Sequence, residues 1–166
     1  MRLRRSCKLQ LFRRQGTHMK LIKLLPFLFL IVCALSEAQK KPSTPAPNSP
    51  ERKAIMNALR APVEQQLKRK VIFKVDELRV KDGWAFLRGV PQQPGGKAMD
   101  YRGTPYDEAR KAGAFDDWIC ALLRKQGSGS KARWRVVTYQ IGATDVPYDG
   151  WDREYKAPSS IFGIPR

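Results

Sequence analysis

"VIFKVDELRVKDGWAFLRGV", residues 71–90, decides how this chain folds. Val71, Phe73 and Val75 alternate with Ile72 and Lys74, the period of two that gives a strand one apolar face. The alternation breaks at Asp76-Glu77 and resumes at Leu78 and Val80, so one extra residue is accommodated there as a β-bulge. Lys81-Asp82-Gly83 is a hairpin signal, because Asp and Gly tolerate the positive φ values of a tight turn. The partner strand begins at Trp84, with Trp84 and Phe86 on one face.

Upstream of the hairpin, Ser49 is a good N-cap, Pro50 suits the first helical position and Glu51 favours the first turn. Ile55, Leu59 and Val63 recur every four residues and make an apolar stripe. Pro62 is predicted to kink or end this helix near Ala61, because its ring removes one helical hydrogen bond. Downstream, Pro91 to Gly103 reads as a loop in which Gly95-Gly96-Lys97 is a tip. Thr104-Pro105 opens a short helix stopped by Gly113. Residues 118–125 (WICALLRK) are read as a strand, since QGSGSK turns the chain into RWRVVTYQIG at 133–142. One helix and about four strands in hairpin order give an α+β fold, with the N-terminal helix packed on a curved antiparallel sheet.

This domain is assigned to residues 51–166, and residues 39–50 (QKKPSTPAPNSP) to a flexible Pro/Ser/Lys linker. Residues 1–38 read as an address. Leu24 to Ser36 carries no charge but is only thirteen residues long, roughly 20 Å as a helix. A bilayer core of about 30 Å needs about 20 apolar residues. Met19 to Lys23 forms a basic start, Leu24 to Leu35 an apolar run, and Ser36-Glu37-Ala38 a small-x-small cleavage site. The expectation is a signal peptide cut after Ala38, with residues 1–18 an upstream extension and the domain periplasmic or secreted. If uncut, the segment would be the domain's one contact with a membrane. Val32 before Cys33 departs from the small residue that a lipoprotein signal places there.

Eight of the 32 Lys and Arg and one of the 15 acids precede residue 39, which leaves 24 basic and 14 acidic residues, net +10. Such a charge favours anionic partners. The sole histidine is His18, so the domain has no imidazole for Ser-His-Asp or Cys-His catalysis or for HExxH zinc binding. Of three cysteines only Cys120 lies in the domain. It sits in an apolar run and reads as a buried, inert thiol. Asp145, Asp149 and Asp152 lack calcium-loop spacing and suit turns. No catalytic, cofactor-binding or metal-ligating residue is assigned, and no cofactor is expected. Glu64, Asp76 and Glu77 are carboxylates that a glycosidase would need in a facing pair.

The C-terminal stretch TDVPYDGWDREYKAPSSIFGIPR supplies the candidate ligand-binding residues Tyr148, Trp151, Arg153, Tyr155 and Lys156. A short helix would set the three rings on one face beside two cations, the chemistry of sugar or base stacking. The competing reading is that Trp151 and Tyr155 close the sheet as core.

Leu59-Arg60-x-Pro62-Val63, Trp84-Ala85-Phe86, Leu122-Leu123-Arg124, Trp134-Arg135-Val136-Val137 and Gly142-x-Thr144-Asp145 together resemble small exported bacterial α+β domains without an assigned function, over residues 51–158. The element order is similar to nuclear-transport-factor-2-like or cystatin-like rolls, folds that host binders and enzymes alike, so the resemblance implies a fold and no reaction. The expected function is a non-catalytic cell-envelope domain that binds an anionic polymer or another secreted protein. The alternatives are a carboxylate-dependent hydrolase of envelope glycans, or an inhibitor or immunity-type partner. Export disfavours nucleic acid as a partner.

Overall fold

The computed structural model describes residues 40–164. The extension, signal segment and cleavage site assigned to residues 1–38 lie outside the described residues. Helix α1 spans Pro50–Leu67, and the Ser49 side chain accepts from the Arg52 N–H at 3.2 Å as its N-cap. Pro62 lies inside this helix, so of the two outcomes expected there, a kink or an end, the helix does not end. Packing is the reason. A helical proline costs about 3 kcal/mol, whereas burying Val63 and Leu67, both at most 1% exposed, returns about 1.5–3 kcal/mol each.

Four strands follow, β1 (Ile72–Lys81), β2 (Trp84–Gln92), β3 (Ile119–Gln126) and β4 (Arg133–Ile141). They form one open antiparallel sheet in the order β1-β2-β3-β4. The fold is therefore α+β, with the helix preceding and packing on the sheet. Asp82 and Gly83 take φ of 50° and 73°, the left-handed pair that a two-residue hairpin requires. The β1–β2 register slips between Val75 and Glu77, which is the expected bulge at Asp76. A short helix α2 (Asp107–Lys111) lies in the β2–β3 connection, and α3 (Trp151–Tyr155) follows β4. Part of the stretch read as linker runs beside the edge of the sheet, since Ser43 pairs with Val80 in antiparallel sense through two backbone hydrogen bonds of 2.8 Å.

The sheet is covered on both faces. On one, Ile55, Leu59, Val63 and Leu67 of α1 pack with Leu78, Leu87, Ala121 and Leu123. On the other, Trp84, Phe86, Cys120 and Leu122 pack with Tyr148, Trp151, Ile161 and Phe162. The helix-to-sheet joint is polar. The Glu64 carboxylate accepts from the Val71 N–H at 3.0 Å, and Arg60 Nε donates to the Val71 carbonyl at 3.0 Å. Farther along α1, Gln66 Nε2 donates to the Tyr106 hydroxyl at 2.6 Å and Gln66 Oε1 accepts from the Tyr139 hydroxyl, tying helix, loop and β4 together.

Two outcomes follow from this packing. A Cβ on Gly89 would stand 2.3 Å from the Lys74 carbonyl oxygen and 3.1 Å from Val75 Cα, both rigid backbone beside the bulge. Gly89→Ala is expected to destabilise the domain by about 2–3 kcal/mol, read as a lower urea midpoint at unchanged slope; an unchanged midpoint would show that β1 and β2 can part without cost. The Val71 amide, with help from Lys70, holds the Glu64 carboxyl below its ordinary 4.5, and the Arg102 guanidinium and amide do the same for Asp100. A depressed carboxyl contributes stability above its unfolded value and loses it as pH falls. Unfolding free energy should be level between about pH 5 and pH 8 and drop below pH 4.5, with a shallower drop in Glu64→Gln.

Candidate anion-binding site

Antiparallel order places the β1–β2 and β3–β4 turns at the same end of the sheet, where the Lys125 amide donates to the Gly83 carbonyl at 2.7 Å. One row of cross-strand partners runs across this end: Lys81 faces Trp84, Trp84 faces Arg124, and Arg124 faces Arg135. By strand alternation all four side chains leave on the face opposite α1. Trp84 is 8% exposed and belongs to the core of that face. The Arg124 guanidinium lies over its ring, 4.4 Å from the centroid, a cation–π contact that holds the charge in one place. Lys81 Nζ reaches Ser160 Oγ at 3.4 Å. One step nearer the turn, Arg133 donates to the Ser130 and Ala132 carbonyls at 2.8 and 2.9 Å, which orients its fork.

Opposition of like charge across two strands, Arg124 against Arg135, sets this row apart. Among the described residues, Lys81, Arg124, Arg133 and Arg135 make no ion pair. Seven described cations elsewhere do. Arg102 meets Asp100 at 2.8 Å, Lys111 meets Glu108 at 2.9 Å, and Arg79 and Arg88 share Glu77. Directly opposed like charges destabilise a sheet, so Arg124 against Arg135 is a standing cost that an anion would relieve. Two guanidinium forks on adjacent strands are also suited to bidentate contact with phosphate or carboxylate. The other face repeats the device singly, where Lys125 Nζ lies 5.7 Å from the Trp134 ring centroid and is paired with Glu51 at 3.4 Å.

Of the two readings of the C-terminal stretch, the packing of Tyr148, Trp151 and Tyr155 follows the one that closes the sheet as core. Tyr148 and Trp151 are each only 7% exposed, and Tyr148 packs its ring 4.8 Å from Phe86. Tyr155 is half-buried and meets Trp151 edge-on. The helical spacing does align the three rings, but it turns them onto Phe86 and Leu122, so they cover the sheet and offer no joint stacking surface. Arg153 and Lys156 remain exposed. Of the carboxylates, Glu64 serves the helix joint, Glu77 is taken by arginines and Asp76 is exposed at the bulge. No group of three His, Cys, Asp or Glu that could hold a metal occurs among the described residues.

Lys81, Trp84, Arg124 and Arg135 were not singled out from sequence. Their convergence depends on the β3–β4 register, which slips between Leu122 and Leu123 and leaves no sequence signal. Compared with known proteins, the chain matches no family model, no curated protein and no solved structure.

Cys120 is fully buried, and burial pushes its thiol up to about 12. Peptide mapping after iodoacetamide treatment at pH 8 should find Cys120 unmodified in the native protein and alkylated after denaturation; labelling of the native thiol would mean that the face covered by Phe162 opens readily.

Proposed function

We propose that this protein is an exported, non-catalytic cell-envelope domain that binds an anionic polymer through the hairpin end of its sheet. The observation that carries the reading is Arg124 opposed to Arg135 without a paired carboxylate among the described residues, one arginine fixed over Trp84. The net charge of +10 on residues 39–166 supports it. So does the Ser43–Val80 pairing, whose antiparallel sense carries Lys41 and Lys40 toward the same end. The basic start, short apolar run and cleavage site at residues 19–38 support export, and an envelope supplies polyanions such as phospholipid headgroups, teichoic acid or lipopolysaccharide phosphates. The inhibitor reading would be favoured by a contiguous apolar patch. The exposed large apolar residues Ile72, Val137, Val146 and Ile164 sit on separate elements.

Co-sedimentation of residues 39–166 with anionic vesicles and with envelope sacculi, at low and high salt, tests this. Each arginine near an anionic surface contributes about 1 kcal/mol. Arg124→Gln with Arg135→Gln should therefore weaken binding roughly thirtyfold and flatten its salt dependence. Arg102→Gln, at a carboxylate-paired site, should change it little. Equal losses in both variants would assign binding to net charge alone, and salt-insensitive retention would overturn the reading.

A further inference from the structure

The bulge at Asp76 also shapes the far part of the same sheet face. There Asp76, Arg88, Trp118, Asp145, Val146 and Tyr148 line a cavity of about 340 Å³, which is at the small end of small-molecule sites. It lies four residues along β2 from Trp84, so about 13 Å from the basic row at about 3.3 Å per residue.

Its walls are of three kinds. Trp118 supplies a half-buried ring fixed by its indole N–H, which donates to the Ala143 carbonyl at 2.6 Å. Tyr148 meets that ring edge-on, and its own ring is held in the core. Tyr148 is only 7% exposed, so its ring position is fixed. Val146, the most exposed large apolar residue at 52%, forms a rim. Asp76 and Asp145 add exposed acceptors, and neither is ion-paired among the described residues. Arg88 touches Glu77 only at 3.9 Å and keeps donors for a ligand.

This combination selects a ligand class by elimination. An anion would meet two carboxylates. A divalent cation would meet a guanidinium and two aromatic walls with only two carboxylates to hold it. A flat apolar molecule would strip water from both carboxylates without replacing their hydrogen bonds. A polyhydroxylated ring satisfies all three walls, its C–H face lying on an aromatic surface and its hydroxyls both donating to carboxylates and accepting from Arg88 and Tyr148. We propose that this cavity binds one neutral pyranose unit, stacked on Trp118 and hydrogen-bonded to Asp76 and Asp145.

The site stands apart from the polyanion reading, because its ligand is uncharged and none of its six residues lies in the basic row. The test is an indole and amide NMR titration of the full-length protein with N-acetylglucosamine and, separately, with glucose. At least one sugar should move the Trp118 indole N–H saturably. Asp76→Asn and Asp145→Asn, exposed positions whose change leaves the fold intact, should each weaken the response about tenfold. Arg124→Gln with Arg135→Gln should leave it unchanged. No saturable Trp118 shift with either sugar would overturn the site, as would a response that survives in the Asp76→Asn, Asp145→Asn double variant. Loss of sugar binding on changing Arg124 and Arg135 would also overturn it, by showing that the sugar is held at the basic row.

Discussion

Trp84 to Leu87 on β2 and Ile119 to Leu123 on β3 are buried residue after residue, on both faces of the sheet. An antiparallel sheet with one solvated face would alternate buried and exposed positions along each strand. These two strands do not, so the domain needs cover twice. Helix α1 provides one layer and residues 148–162 the other. Each fully buried Leu, Ile or Phe contributes about 1.5–3 kcal/mol, so neither layer can be dispensed with in a domain of this size that has no disulfide within it.

That double burial governs where charge can go. With the central strands apolar on both faces, charged side chains fall on the edge strands, the strand ends and the loops, apart from Arg88 opposite the bulge. Arginine on an edge strand has an ordinary explanation, since charge there deters pairing with another sheet. Arg133 and Arg135 on β4 fit that account. Arg124 does not, because β3 is an inner strand paired on both sides, and an arginine there guards no edge. It lies instead at the exposed end of β3, and what its position adds there is the contact with Trp84 and the opposition to Arg135.

The sequence made the sheet legible because each signal was local. The alternation of Val71, Phe73 and Val75, the slip at Asp76, the Asp82-Gly83 turn and the Ser49-Pro50 cap each act over a few residues. Pro62 left two outcomes open, a kink or an end, because its cost is local while the compensation, Val63 and Leu67 against the sheet, is tertiary. The aromatic tail stayed open between two readings for a related reason. Helical spacing shows that Tyr148, Trp151 and Tyr155 share a face, but whether that face meets solvent or Phe86 depends on a sheet face already rich in Trp84 and Leu122. A stricter reading of residues 84–87 and 119–123 as continuously apolar would have required a second covering layer and assigned the tail to it. The basic row was beyond reach, since a one-residue slip between Leu122 and Leu123 determines whether Arg124 meets Arg135.

The same geometry bears on whether the domain binds or cleaves a glycan. Hydrolysis by paired carboxyls needs one kept protonated, usually by an apolar pocket, while its partner stays charged on the other side of the scissile bond. Asp76 and Asp145 are both solvent-exposed, and the apolar side chains near them, Val146 and Trp118, enclose neither. Glu77 is held by two arginines, and Glu64 is tied to the Val71 amide where α1 joins the sheet. A cleavage mechanism would have to move one of these groups out of the role that the fold gives it. Binding asks for no such change of the aromatic wall, the exposed acceptors or the arginines of the hairpin end.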